Sequence, residues 1–155
     1  MHDLLLKGGR IIDPGRGIDE IGDIAFANGM VAETGPELPP AGAREVRQVS
    51  DRLVVPGLID LHTHVYCGGT AMGVDPSHFA QQCAATTLVD AGTAGPANLT
   101  GFRDHVIESA TPRVLPFINV SFPGIFAFSA EVMVGECQDI RLLNASECVR
   151  VARDH

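Results

Sequence analysis

Over the first third of the chain, apolar and polar residues alternate in short bursts separated by glycine, proline and asparagine, the pattern of half-buried strands joined by turns. It predicts strands over residues 4–6 and 10–12, with a turn at Gly8-Gly9 between them. Residues 23–27 and 30–33 alternate on either side of Asn28-Gly29, a pair suited to a two-residue turn, and so predict a β-hairpin. Residues 36–43 read as a loop, and 44–49 alternate again with Val46 and Val49 facing inward. Residues 1–55 are therefore expected to form a small β-segment.

The pattern then changes. Leu53, Val54 and Val55 lead through Pro56-Gly57 into Leu-Ile-Asp-Leu-His-Thr-His, residues 58–64. Side chains two apart on a strand share a face, so Leu58, Asp60, His62 and His64 point one way. Ile59, Leu61, Thr63 and Val65 point the other way, toward a covering helix. After a glycine-rich loop, Asp75-Pro76 supplies an N-cap and a proline at the first helical position, opening a helix over 76–85. Strands over 86–90 and 113–119 bracket a helix over 96–109, and Asn144 with Glu147 reads as a capping box for a last helix running to the chain end. Residues 120–143, with Phe122, Phe126 and Phe128, exceed an ordinary connection and read as a long loop. Strand starts near Leu58, Thr86 and Arg113 imply βαβαβ, a parallel sheet with right-handed crossovers.

The chemistry sits on the first of these strands. Cα atoms two apart on a strand lie about 6.6 Å from each other at roughly 3.3 Å rise per residue, so the imidazoles of His62 and His64 can lean onto one ion. A histidine pair is also a short motif among six histidines, and a purely structural strand is the competing reading. Net charge is −8 with no cluster of lysine or arginine, which argues against nucleic acid or an anionic membrane as partner. No apolar run reaches the ~20 residues of a membrane span, and Cys67, Cys83, Cys137 and Cys148 lack CxxC spacing. The cysteines are expected to be reduced thiols and the protein cytoplasmic.

Pro-Gly-Leu-Ile-Asp-Leu-His-Thr-His, residues 56–64, resembles the first-strand signature of the amidohydrolase superfamily, the dihydroorotase-like and deacetylase-like metal-dependent hydrolases. The resemblance extends over residues 3–13, 53–64 and 85–92, with Ala85 where the family more often has glycine. It implies an α/β fold: the N-terminal part of a (β/α)8 TIM barrel, with a small β-sandwich segment at 1–55 and the first three β/α units at 56–155. It further implies that His62 and His64 ligate a divalent metal, most readily zinc, one or two ions in the intact enzyme, and that metal-bound hydroxide hydrolyses a cyclic amide, N-acyl or acyl-ester bond.

Asp60 is expected to orient the ligand strand rather than to ligate. Gly92, Thr93 and Asn119 fall near the ends of strands two and three, with Asn119 the candidate for hydrogen bonding substrate. Cys67 reads as a small buried side chain, and Glu131, Glu136 and Asp139 lie in the long loop. The family's remaining ligands and its aspartate base belong to later strands and are expected beyond residue 155, since Lys7, the sole lysine, precedes the barrel. The alternatives are a non-catalytic scaffold of the same fold or an inactive truncated fragment. Open edges on strands one and three imply a homo-oligomer or association with a complementary C-terminal half.

Overall fold

The structure is a computed structural model; it describes residues 1–127, 129, 131–135 and 139–155. Two compact units are present, Met1–Pro56 and Gly57–His155.

The first unit is a five-stranded sheet of β1 (His2–Asp13), β2 (Ile18–Ala27), β3 (Met30–Gly35), β4 (Ala43–Gln48) and β5 (Leu53–Val54). The order is β3-β2-β1-β4, with β5 also on β1. The β2–β3 hairpin turns where expected, Asn28 and Gly29 both taking positive φ (53° and 74°) as a type I′ turn requires. Gly8-Gly9 is not a turn: β1 runs straight through it as one strand, with an extra residue between Leu6 and Gly9 relative to β2. The cause lies across the sheet. The Gly8 N–H leaves the ladder to donate to Asp23 Oδ1 at 2.8 Å, while the Lys7 ammonium donates to Asp23 Oδ2 and to the Leu38 carbonyl, both at 2.7 Å. The Leu38 N–H also donates to Asp23 Oδ2 at 2.8 Å, so a buried carboxylate receives three donors and pins the loop before β4. Leu5, Ala25 and Leu38 form the small core beside it. Val46, expected inward, is exposed, because β4 is an edge strand paired only to β1.

The second unit carries a parallel sheet, β6 (Leu58–Thr63), β7 (Ala85–Asp90) and β8 (Arg113–Pro116), in that order. The first crossover helix, α1 (Pro76–Cys83), is capped by Asp75, whose carboxylate accepts from the His78 N–H, and stops at Ala84 in the left-handed region. The second helix begins three residues later than the proline suggests: α2 (Leu99–Phe102) continues as a π-helical turn over Arg103–Ile107. Pro96 is followed by a turn instead, in which the Asn98 side chain accepts from the Gly95 N–H at 2.9 Å. The final helix, α3 (Ala145–Asp154), is capped by Asn144 through the Glu147 N–H. The Glu147 carboxylate pairs with Arg150.

Residues 120–143 are more than a loop. Within them β9 (Ile125–Ala127) pairs antiparallel with β10 (Met133–Gly135), and a 3₁₀ turn spans Ile140–Leu142. Phe128, Glu136 and Cys137 lie outside the described residues. Backbone crowding holds the hairpin base against the loop after β7: a Cβ on Gly124 would sit 2.2 Å from the Thr93 carbonyl oxygen and 2.6 Å from the Gly95 nitrogen.

Leu88, Phe102, Val65, Val114 and Val151 lead the core of this unit. Thr63 and Val65 are buried as expected of their face, whereas Ile59 and Leu61, expected to be covered, are exposed, Leu61 by 73%. Among the described residues no strand pairs with the outer side of β6, which is an edge strand. The opposite edge shows the same trait, with Phe117 just past β8 exposed by 65%. Among the described residues, no helix is long and apolar enough to cross a membrane.

Two expectations follow for stability. Burial alone would raise the Asp23 pKa, but the Lys7 ammonium and the Leu38 and Gly8 amides outweigh it and hold the carboxyl below its ordinary value. A depressed folded pKa contributes stability that is complete above the unfolded value and is lost as pH falls through the folded one. Asp23→Ala, which strands the Lys7 charge, should cost about 3 kcal/mol at pH 7. The gap to wild type should narrow as pH drops below about 4, measured as urea midpoints by circular dichroism. The second concerns crowding. Gly17 and Gly124 share φ near +70° (68° and 69°), but a Cβ at Gly17 meets nothing within 4 Å. Gly17→Ala should therefore cost about 1 kcal/mol and Gly124→Ala more than about 3 kcal/mol in the same assay.

Candidate metal centre

β6 delivers two imidazoles to one place through an irregular strand end. Asp60 pairs with Leu88 and Thr63 with Asp90, so β6 carries one residue more than β7 between those pairs, a bulge at Leu61-His62. Bulges re-aim side chains, and strict alternation does not hold through this one. His62 lies within the strand and His64 one residue past its end; their ring centroids are 5.4 Å apart and the rings nearly perpendicular, at 83°. With Zn–N bonds of about 2.0–2.1 Å, two rings sharing one tetrahedral ion would have centroids roughly 5 Å apart. The observed separation of 5.4 Å is close to that value. Among the described residues no group of three or more His, Cys, Asp and Glu side chains is placed to hold an ion.

What fixes His64 is a buried chain of hydrogen bonds. Its Nδ1 lies 2.9 Å from Thr93 Oγ1, and that hydroxyl donates to Asp90 Oδ2 at 2.8 Å. The Thr93 N–H donates to Asp90 Oδ1 at 2.7 Å, and the Val65 N–H to Asp90 Oδ2 at 2.8 Å. Asp90 and Thr93 are both fully buried. The last residue of β7 thus holds the chain on either side of the histidines' strand end. Backbone bonds continue the stitching, from the Ala91 N–H to the Thr63 carbonyl at 2.8 Å and from the Val74 N–H to the His64 carbonyl at 3.0 Å. Thr93 was foreseeable only as a residue near the site; the signal for its role was the Asp-x-x-Thr spacing at a strand end, where side chains bond to nearby backbone.

The other expected residues take simpler places. The Asp60 carboxylate accepts from the His62 N–H at 3.1 Å, which bears on that histidine's backbone and not on its ring. Asn119 ties strand ends together: its amide donates to the Gly92 carbonyl at 3.0 Å and accepts from the Ser121 N–H at 2.9 Å. The Asn119 carbonyl receives the Cys148 thiol at 3.1 Å, and burial, then the Glu147 charge, pushes that thiol's pKa up. Cys67 is exposed, not buried, on the turn after His64. That turn is anchored by Tyr66, stacked on Phe102 at 4.6 Å and with its pKa raised by burial. Glu131 is exposed, and the Asp139 carboxylate is engaged by the side chain and N–H of Arg141, which hold it below the usual range. Glu136 lies outside the described residues. Lys7 is bound to Asp23 in the first unit.

No protein-family model matches the chain. A deacetylase of Agrobacterium fabrum is 33% identical over 128 residues, which are 83% of this chain and 31% of that protein. A dihydroorotase of Trichlorobacter lovleyi is 48% identical over 63 residues, 41% of this chain and 15% of that one. Among solved structures, a dihydroorotase superposes on the whole chain with a TM-score of 0.84 at 28% identity, and the match covers 40% of its length. The chain thus spans well under half the length of the proteins it matches. These relatives are hydrolases, and divalent metals serve their superfamily. Sequence and fold agree: the chain belongs to the amidohydrolase superfamily and corresponds to the N-terminal portion of its TIM-barrel fold, with the β-rich segment that precedes the barrel.

Proposed function

We propose that the protein to which this chain belongs is a metal-dependent hydrolase of C–N bonds, in cyclic amides or N-acyl groups, or of acyl esters. The observation that carries this reading is the convergence of His62 and His64 at the C-terminal end of the first parallel strand, the end at which barrel enzymes place their chemistry. The two imidazoles would hold a divalent cation, most readily zinc, with further ligands and a general base supplied from beyond residue 155. Such an ion, when bound, makes water acidic enough to give hydroxide near neutral pH and polarises the carbonyl under attack.

The chain's own residues do the positioning. Asp60 steadies the His62 backbone through its accepted N–H. Asn119 retains one N–H and one lone pair of its amide beyond the two bonds it makes, and we assign these to a substrate's polar groups. The substrate is a small molecule, not nucleic acid or membrane. The exposed apolar flanks of β6 and β8 are to be covered by a complementary C-terminal half or a second copy. We place the protein in the cytoplasm; Cys67, Cys83 and Cys148 are free thiols, as that compartment favours.

Metal analysis of the full-length protein should show His62→Ala/His64→Ala losing nearly all bound divalent metal, while His78→Ala keeps it. Equal metal content in the double variant and wild type would remove the central assignment. The 155-residue chain alone should hydrolyse N-acyl amino acids and cyclic amides no faster than its chelator-treated control, because the group that takes the water's proton lies outside it. Turnover restored by added zinc would place a base within these residues instead.

A further inference from the structure

The hydrogen-bond chain from Asp90 through Thr93 to His64 has a direction, and the direction decides which ring nitrogen is available. A threonine hydroxyl carries one proton. Both Asp90 oxygens already receive backbone N–H groups, from Thr93 and Val65, so the carboxylate stands as an acceptor throughout and the hydroxyl proton lies on the Thr93–Asp90 contact. Thr93 Oγ1 can then only accept from the ring, so the proton at the 2.9 Å contact with His64 belongs to Nδ1. A neutral imidazole protonated on Nδ1 carries its lone pair on Nε2. An isolated histidine favours the opposite form, with the proton on Nε2.

We propose that Thr93 and Asp90 are positioning residues that lock His64 in its Nδ1–H tautomer and so present Nε2 as the electron-pair donor on the face it shares with His62. The consequence for a metal rests on the reading of His64 as a ligand; the tautomer itself does not. The arrangement is strong because nothing in it is free to turn. Thr93 is 1% exposed and its own N–H is fixed to the same carboxylate, so its rotamer is held from both sides. Asp90 is 0% exposed and fixed by bonds from two segments. His62, on the exposed strand face, has an N–H bond from its backbone to Asp60 and is not part of this relay. The two histidines therefore differ: His64 is preset for one nitrogen, and His62 is left to choose.

The test is nitrogen-15 NMR of the histidine rings in the metal-free 155-residue chain, in mildly alkaline buffer. Two-bond proton–nitrogen correlations distinguish the protonated from the bare ring nitrogen. His64 should show a protonated Nδ1 and a bare Nε2 in wild type and in Thr93→Ser, and should shift toward protonated Nε2 in Thr93→Val. Zn²⁺ added to the wild-type chain should move the Nε2 resonance and leave Nδ1–H in place, with affinity about 10- to 100-fold weaker in Thr93→Val. A protonated Nε2 on His64 in wild type overturns the proposal, even if Thr93→Val fails to fold. So does an unchanged tautomer in a folded Thr93→Val. An Nδ1–H ring that Zn²⁺ does not perturb upholds the tautomer lock and counts against the metal reading of the site.

Discussion

Removing a carboxylate from water is costly unless every lone pair direction finds a donor, and that requirement at Asp90 organises the second unit. Its position as the last residue of β7 puts the demand where three segments meet. Val65 comes from the chain leaving β6, and Thr93 from the loop leaving β7. The Asp90 carbonyl accepts from Phe117, in the chain leaving β8. Satisfying one buried charge thus ties the C-terminal ends of β6 and β7 together, and the backbone bond from Phe117 adds the end of β8 to them. In an α/β sheet those ends are where ligands bind, so the cost of burying the carboxylate and the construction of the site are the same event.

The first unit repeats the solution on another scale. Asp23 is a buried carboxylate fed by Lys7, Gly8 and Leu38, and its demand bends β1 into a bulge and draws a distant loop onto the sheet. The first unit has a small apolar cluster, Leu5, Ala25 and Leu38, whereas the second packs a larger one around Leu88 and Phe102, and much apolar surface on β6 and beyond β8 is left outward. Internal polar anchors give each piece its shape, while the open apolar flanks are what the remainder of a barrel would cover.

Features written in neighbouring residues were readable from sequence. Asp75-Pro76, Asn28-Gly29 and the Asn144 cap act within one turn, and the three parallel strands began within a residue of where periodicity put them. The histidine pair was visible for the same reason, two residues on one strand. What escaped depended on partners far away along the chain. Gly8-Gly9 looks like a turn until Asp23, fifteen residues on, claims its N–H, and Val46 looks inward until β4 proves to be an edge. Thr93 meets His64 across 29 positions, and no local pattern announces that contact. The hairpin inside residues 120–143 was hidden because its strands are only three residues each.

The solitary lysine carries a practical consequence. With its Nζ tied to Asp23 and the Leu38 carbonyl, Lys7 is the one side-chain amine in these residues, and it is held in the first sheet. An amine-selective reagent thus meets an exposed terminal amine and a half-buried Lys7 that must first release the Asp23 carboxylate and the Leu38 carbonyl. The rate at which Lys7 becomes labelled is therefore a clock for the loosening of the Asp23 anchor in the first unit.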